Sequence, residues 1–270
     1  MLRDVRDLEG FAVRATDGVV GKVRDCYFDD DAWVIRYFIV ETDTRPSHRR
    51  VLISPFSVEQ PIWTEKVLPA RITLAQVENS PDVDTDKPVS RQHEIGYAGY
   101  YGYPNYWGGG GLWGAGIYPD ILQAGLEPKI ANAANPRAHR SNERKGGSPA
   151  VERPTDTHLR SANNVMRYYV HASDGDIGHV EGLLVEDRTW AIRYFIVNTS
   201  NWWLGHTVLI SPEWIDDVYW AESKLIVSMS RQSVKDSPAY HPNELDRVQE
   251  SALHAHYGHR GYWPTADGND

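Results

Sequence analysis

The chain has little of what several common protein classes need. It contains one cysteine, Cys26, among 270 residues, which excludes an intramolecular disulfide framework and a Cys-x-x-Cys zinc site. No apolar run approaches the ~18 to 20 residues of a membrane-spanning helix, and the N-terminal residues lack the apolar core of a secretory signal. We therefore predict a cytoplasmic protein without a transmembrane segment, and peripheral association with a membrane stays open.

Basic residues are also few relative to acidic ones. Lys and Arg number 28 against 37 Asp and Glu, which gives a net charge of -9. A general nucleic-acid binder needs a basic face that displaces counterions, so we expect no direct contact with nucleic acid. Phenylalanine is scarce, at 5, beside 10 Trp and 15 Tyr. Such amphipathic aromatic side chains suit half-exposed surfaces and interfaces.

An internal repeat organises the chain. Residues 17–58 align without a gap with residues 174–215, at an offset of 157, and 18 of the 42 positions are identical. Average residue usage would give about three identities by chance. We therefore predict a tandem duplication with domains at 1–107 and 164–264. Residues 108–163, rich in Gly, Pro and Asn, are predicted to be a flexible linker with a short ordered patch around Leu112–Leu126, and residues 265–270 a disordered C-terminus.

Each copy is typical of short strands separated by turns, followed by a polar helical tail. The strands predicted in the first copy are Phe11–Arg14, Gly21–Phe28, Trp33–Thr42, Val51–Ile53 and Lys66–Leu74. The second copy repeats this pattern, with Leu225–Ser230 as its fifth strand. The tails are predicted to be helical over Arg91–Tyr97 and Asn243–His256, and each ends in an aromatic cluster.

Three motifs occur in the same order in both copies: Asp-Gly-x-x-Gly-x-Val, Trp-x-Ile-Arg-Tyr-Phe-Ile-Val and Val-Leu-Ile-Ser-Pro. With them the chain resembles the PRC-barrel domain, present twice, over about 2–107 and 164–264. The family includes the cytoplasmic domain of the photosynthetic reaction centre H subunit. The resemblance implies a mainly β protein, with two small antiparallel PRC-type β-barrels joined by a Gly/Pro-rich linker, each followed by a short helical and aromatic tail.

The resemblance implies a module that docks on other proteins. We therefore predict a non-enzymatic adaptor that binds unknown protein partners. One alternative is a peripheral component of a membrane energy-transducing complex, such as reaction-centre-like electron transport. Another is a ribosome-associated factor, because the fold also forms part of a ribosome-maturation factor. The two barrels either bind bivalently on a tether or pack on each other as an internal pseudo-dimer.

Aromatic residues outside the strands are the candidate partner contacts. Trp202 and Trp203 lie in the loop between the third and fourth strands of copy two, where tryptophan is typical of binding hot spots. Their alternative role is to cap an open end of the barrel. The aromatic ends of the two tails supply the remaining candidates, which are Tyr106, Trp107, Tyr262 and Trp263.

Other reactive residues favour structural roles. Arg36 and Arg193 interrupt the third strand at equivalent positions, which favours an ion pair over an anion site. The acidic run at 29–31 lacks the spacing of a calcium loop, and the histidines at 254, 256 and 259 do not have converging helical spacing. No nucleophile elbow, phosphate-binding loop or dinucleotide-binding glycine motif is present. We predict no catalytic residue, no cofactor and no metal.

Overall fold

A computed structural model of the chain describes residues 1–43, 49–81, 89–119, 158–199, 207–242 and 244–263. We call the described residues up to 119 the first half and those from 158 the second half. The strands of the first half are β1 (Leu2–Asp4), β2 (Ala12–Ala15), β3 (Gly18–Asp29), β4 (Val34–Thr42), β5 (Arg50–Ile53) and β6 (Val67–Pro69). The strands of the second half are β7 (Leu159–Ser161), β8 (Tyr169–Ala172), β9 (Gly175–Glu186), β10 (Ile192–Asn198), β11 (Thr207–Ile210), β12 (Ile215–Tyr219) and β13 (Lys224–Val227). The α-helices are α1 (Leu74–Glu78), α2 (Arg91–Tyr101), α3 (Ala162–Val165), α4 (Arg231–Lys235) and α5 (Arg247–Tyr257).

The described residues are mainly β and form two sheets. One sheet has the order β5-β4-β3-β2-β6, and the other has the order β11-β10-β9-β8-β13-β12. Most pairs are antiparallel, whereas β2 with β6 and β8 with β13 are parallel. The predicted mainly β class is therefore confirmed. No helix in the described part of the chain is long and apolar enough to cross a membrane.

The two halves exchange one strand each. The long strand β3 pairs with β2 along its first part and with β7 of the second half along its last residues, with Asp29 opposite Leu159. In the same way β9 pairs with β1 of the first half, with Glu186 opposite Leu2. These two pairings are equivalent at the offset of 157. Main-chain hydrogen bonds thus join the two halves at both exchanged strands.

Between the exchanged strands the halves also meet directly. Val34 and Ala191, which are equivalent, form an isolated bridge. The flanking hydrogen bonds are reciprocal, because Ile35 N donates to Trp190 O at 2.9 Å and Ile192 N donates to Trp33 O at 2.7 Å. The tryptophan rings cross the same interface, Trp33 onto Phe195 at 5.3 Å and Trp190 onto Phe38 at 4.8 Å between ring centroids. One hydrophobic core accordingly contains residues of both halves.

Glycine is required where β3 and β9 come closest to their neighbours. A Cβ atom on Gly21 would lie 1.9 Å from the Glu41 carbonyl oxygen, and one on Gly178 would lie 2.0 Å from that of Asn198. No side chain fits at such a distance. The second glycine of the repeated Asp-Gly-x-x-Gly motif therefore has the same backbone role in both halves.

Several element ends differ from the sequence-based prediction. The strand predicted over Lys66–Leu74 ends at Pro69, because Thr73 caps α1 in a reciprocal capping box with Gln76. The helix α2 continues to Tyr101, and α5 begins after Asp246, whose side chain accepts a hydrogen bond from Gln249 N. The exchanged strands β1 and β7 were not predicted.

Part of the segment predicted as a linker, 108–163, is structured. Trp113 is fully buried in the core, and its Nε1 donates to Thr189 O of the second half at 2.8 Å. The residues of β7 belong to the sheet of the first half. Residues 120–157 and the predicted disordered C-terminus at 265–270 lie outside the described residues, so the prediction stays a prediction there.

Candidate functional site

The aromatic tails, which the sequence offers as partner contacts, turn back onto their own halves. Both tail helices end at a glycine in the left-handed conformation, Gly102 and Gly258, each with a φ of 72°. The chain then reverses and brings Tyr106 and Tyr262 against strands β4 and β10. Tyr106 is buried, whereas Tyr262 is half-buried.

In the first half the tail closes a cluster around Glu94, which is fully buried. The hydroxyls of Tyr37 and Tyr106 both donate to Glu94 Oε2, the former at 3.3 Å. His158 Nε2, from the residue before β7, lies 2.8 Å from Glu94 Oε1 and 3.1 Å from the Tyr106 hydroxyl. One carboxylate thereby joins a strand, the tail and the start of the second half.

Two arginines enclose this Glu94 cluster. Arg91 Nη1 donates to the Tyr106 hydroxyl at 3.0 Å, and its guanidinium lies 4.4 Å from the centre of the Trp107 ring. Arg36, only 2% exposed, places its guanidinium 3.9 Å from the centre of the Tyr106 ring. It donates to Leu112 O at 2.5 Å and pairs with Asp29 at 3.5 Å. Arg36 thus has the structural ion pair that the sequence favours.

The second half forms the corresponding cluster around Glu250. The hydroxyls of Tyr194 and Tyr262 donate to Glu250 Oε1 at 3.1 and 2.8 Å. Arg247 Nη1 lies 3.0 Å from Glu250 Oε2. Arg193 covers the Tyr262 ring at 4.1 Å, and the Arg247 guanidinium lies 4.2 Å from Trp263. Every first-half role except that of His158 has a counterpart here.

The imidazole occupies different places in the two clusters. His254, on α5 itself, donates from Nδ1 to Arg260 O at 2.8 Å, and its Nε2 lies 2.9 Å from the Tyr194 hydroxyl. Burial lowers the pKa of His254 and outweighs its carbonyl and carboxylate neighbours. Burial also acts against the charge of His158, but the hydrogen bond and charge of Glu94 outweigh it and raise the pKa of His158. The Glu94 cluster therefore favours the imidazolium form of His158, and the Glu250 cluster favours the neutral form of His254.

The tyrosines of these clusters are held as neutral donors. Burial, followed by the nearby Glu94 charge, raises the pKa of Tyr37 and of Tyr106 well above the ordinary range. Burial and the Glu250 charge do the same for Tyr194. A neutral hydroxyl that donates to a buried carboxylate stabilises the fold and does not act as a base. The clusters fasten each tail to its sheet.

The other residues singled out in the sequence also have structural partners. The carboxylates of Asp29, Asp30 and Asp31 lie within 4.8 Å of one another. Asp29 pairs with Arg36 and accepts from the Asp31 backbone at 2.9 Å, while Asp30 pairs with Arg160 at 2.7 Å. His256 bonds Ser233 O at 2.8 Å, and His259 stacks on Trp214 at 5.3 Å. Cys26 is buried.

Among the partner-contact candidates, Trp107 and Trp263 are half-buried beside the arginines of their clusters. Trp202 and Trp203 lie outside the described residues. The two tails thus place their candidates in two separate clusters, one in each half.

A different surface, missed in the sequence, distinguishes the halves. Val19 at the start of β3, Leu74 on α1 and Tyr100 on α2 are 51%, 37% and 40% exposed. Leu74 N donates to Asp17 in the β2–β3 turn at 2.8 Å, and the Tyr100 hydroxyl donates to Gln76 O on α1 at 2.9 Å. We call these three residues the apolar patch.

The second half has polar residues at the same positions. Asp176 replaces Val19 and pairs with His171 at 2.7 Å. Arg231 replaces Leu74, and its backbone N donates to Asp174 at 2.7 Å, as Leu74 N does to Asp17. His256 replaces Tyr100 and bonds the equivalent carbonyl. The backbone arrangement is the same, but only the first half presents apolar side chains.

A one-residue gap hides the correspondence of the tails in the sequence. The helices α2 and α5 have equal length and correspond at an offset of 156 instead of 157. At that offset three short motifs align between the two tails: Arg-x-x-Glu, Tyr-Gly and Tyr-Trp. The gapless alignment pairs Tyr100 with Tyr257, whereas the structure pairs Tyr100 with His256. Allowing one deletion would have identified Glu94 and Glu250.

Comparison with known proteins bears on the first half. No curated protein matches the chain. The matched segment of a family model covers strands β1 to β5 and the residues that follow β5. Residues 2–62 of this chain match the PRC-barrel domain.

Proposed function

We propose that the chain consists of two PRC-barrel modules fastened into one unit, and that the second module comprises β7 to β13. What supports this is the equivalence of the two halves at an offset of 157. The exchanged strands, the bridge at Val34 and Ala191 and the tight glycine contacts all recur in matching registers. Such an arrangement resembles a homodimer whose two subunits are joined in one chain.

The unit acts as a non-enzymatic adaptor that binds a protein partner through the apolar patch. The observation that carries this proposal is the difference between equivalent surfaces: Val19, Leu74 and Tyr100 in the first half stand where the second half has Asp176, Arg231 and His256. The fold does not need apolar residues there, since the second half forms the same hydrogen bonds without them. Exposed apolar side chains grouped where elements meet are typical of interaction sites.

The buried clusters support a binding role over a catalytic one. Glu94 and Glu250 each accept hydrogen bonds from two tyrosines, and each pairs with an arginine of its own helix. Both carboxylates are 4% exposed or less. A carboxylate that is held by two neutral tyrosine hydroxyls and an arginine stabilises the fold.

Capture of partners from the cells that make the protein tests the adaptor proposal. The tagged wild type is compared with a variant that receives the second-half residues, Val19→Asp with Leu74→Arg and Tyr100→His. This variant keeps the donor to Gln76 O, as His256 does for Ser233 O, so its melting temperature should stay near that of the wild type. A matched control, Arg231→Gln with His256→Gln, alters the equivalent surface of the second half.

We expect at least one protein to be captured by the wild type and by the control but depleted about tenfold or more by the triple variant. A tenfold loss corresponds to about 1.4 kcal/mol of contact energy. Equal capture by all three proteins would contradict the proposal. A component of a membrane energy-transducing complex or a ribosomal protein among the depleted proteins would identify the pathway.

A further inference from the structure

A cavity of about 520 Å³ lies between β1 of the first half and the start of α5 in the second half. Its lining includes Met1, Arg3, Tyr240, Leu245, Glu250 and Tyr262. This volume lies within the range of small-molecule sites, ~300 to 1,000 Å³. Apolar and aromatic residues line part of the cavity, and five acidic residues and three arginines, among them Glu250 and Arg3, supply its charged groups.

Beside Glu94, a side chain occupies the equivalent space. His158 is equivalent to Met1, and the two backbones are held alike: Asp30 N donates to His158 O at 2.9 Å, and Asp187 N donates to Met1 O at 3.0 Å. The His158 residue is 5% exposed because its imidazole lies against Glu94 and Tyr106. Met1 is 72% exposed, which leaves the space beside Glu250 and Tyr262 open.

The cavity therefore faces a carboxylate that has one nitrogen partner fewer than its counterpart. Glu94 interacts with two tyrosines, an arginine and the His158 imidazole, with Nε2 at 2.8 Å. Glu250 has the equivalent tyrosines and arginine. The imidazole of the second half, on His254, instead bonds Tyr194 and the Arg260 carbonyl.

A second difference concerns the arginine of the exchanged strand. On β7, which joins the sheet of the first half, Arg160 pairs with Asp30 at 2.7 Å and stacks on Trp220 at 4.1 Å. Its equivalent, Arg3, stacks on Trp63 at 4.7 Å. Arg3 Nε is buried and has no hydrogen-bond partner among the described residues.

We propose that this cavity binds a small molecule that carries both a protonated nitrogen, of the imidazolium or ammonium type, and a carboxylate. The nitrogen lies against Glu250 and Tyr262, in the place that His158 fills in the first half. The carboxylate of the ligand lies toward Arg3. It takes the role that Asp30 has as the partner of Arg160. The ligand thereby places a positive charge beside Glu250 and a negative charge beside Arg3, and buried charged groups favour such pairing.

Calorimetric titration of the purified full chain with imidazoleacetate tests the proposal. We expect one equivalent to bind saturably, with a Kd of ~1 mM or tighter. Glu250→Gln should weaken binding at least tenfold, while Glu244→Gln, an exposed carboxylate before α5, should leave it unchanged. No saturable binding, or equal binding by the Glu250 variant, would overturn the proposal.

Two further variants keep the test decisive if Glu250→Gln loosens the fold. Arg3→Gln retains the buried carboxylate, so it should weaken imidazoleacetate but not imidazole itself. His158→Ala opens the equivalent space in the first half, and we expect it to bind a second equivalent of imidazole. One equivalent for both wild type and His158→Ala would show that the space occupied by His158 is not what defines the site.

Discussion

The two halves have the same backbone arrangement, but their side chains form different surfaces and leave different cavities. In the first half, the space beside Glu94 is filled by His158, which enters from the second half. The surface of the first half at Leu74 and Tyr100 is apolar. In the second half, a cavity lies beside Glu250, and the equivalent surface is charged. Main-chain pairing and close glycine contacts impose the shared part. Side chains that make no such contact are free to differ, so function is best sought where the halves diverge.

The largest effect is expected from breaking the core that both halves share. Trp190→Ala removes a side chain that is 3% exposed and packs on Phe38 of the first half. Its loss should cost about 3 to 5 kcal/mol of unfolding free energy. Because one core contains both halves, denaturant unfolding followed by circular dichroism should show one transition at lower denaturant. Two separated transitions, with the first half unaffected, would contradict a shared core.

The next comparison concerns the two buried glutamates. Glu94→Gln removes the buried carboxylate that pairs with His158 and Arg91. The loss should lower the free energy of unfolding by about 3 kcal/mol. Glu250→Gln should cost less, about 1 kcal/mol, because its ionic partner Arg247 has a side chain that is 53% exposed and screened by water. Chemical denaturation of both variants checks the order. A larger loss for Glu250→Gln would reverse our interpretation of the two clusters.

The smallest effect is a difference in pH dependence. The pKa of His158 is raised in the folded chain, so its stabilisation is complete below the unfolded value of about 6.5 and is lost as the pH rises through the folded value. The pKa of His254 is lowered, so its stabilisation is present above the unfolded value and is lost as the pH falls through the folded value.

Melting temperatures between about pH 5 and pH 8 separate the two histidines. His158→Gln should remove the loss of stability on the alkaline side, and His254→Gln should remove the loss on the acidic side. The wild type should be most stable between the two limits. The same pH profile for both variants would contradict the assignment of imidazolium to one half and neutral imidazole to the other.

The sequence was sufficient to predict strands wherever both copies carry the same alternating or fully apolar pattern. The strand predicted from Trp33 and the one observed, β4, differ by one residue at the start. The exchange of β1 and β7 was not predictable from pattern, because three-residue strands show no alternation and their partners lie far away in the chain. The sequence predicted an ordered patch around Leu112–Leu126, but the glycine-rich surroundings of Trp113 are typical of a linker and gave no sign that its ring is buried in the core.

The candidate site was predictable only in part. The aromatic tails stand out in the sequence, but whether they face a partner or their own sheet depends on Glu94 and Glu250, which a one-residue gap concealed. The apolar patch has no sequence pattern of its own. It emerges when the turn, α1 and α2 are brought together and equivalent surfaces of the two halves are compared.

Photo-crosslinking in the cells that make the protein tests the central claim most directly. A benzophenone amino acid replaces Tyr100 in one variant and its equivalent, His256, in another. If the apolar patch is the contact surface, irradiation should join one defined protein to the chain from position 100 and not from position 256. Equal crosslinking from both positions, or none from position 100, would contradict the account.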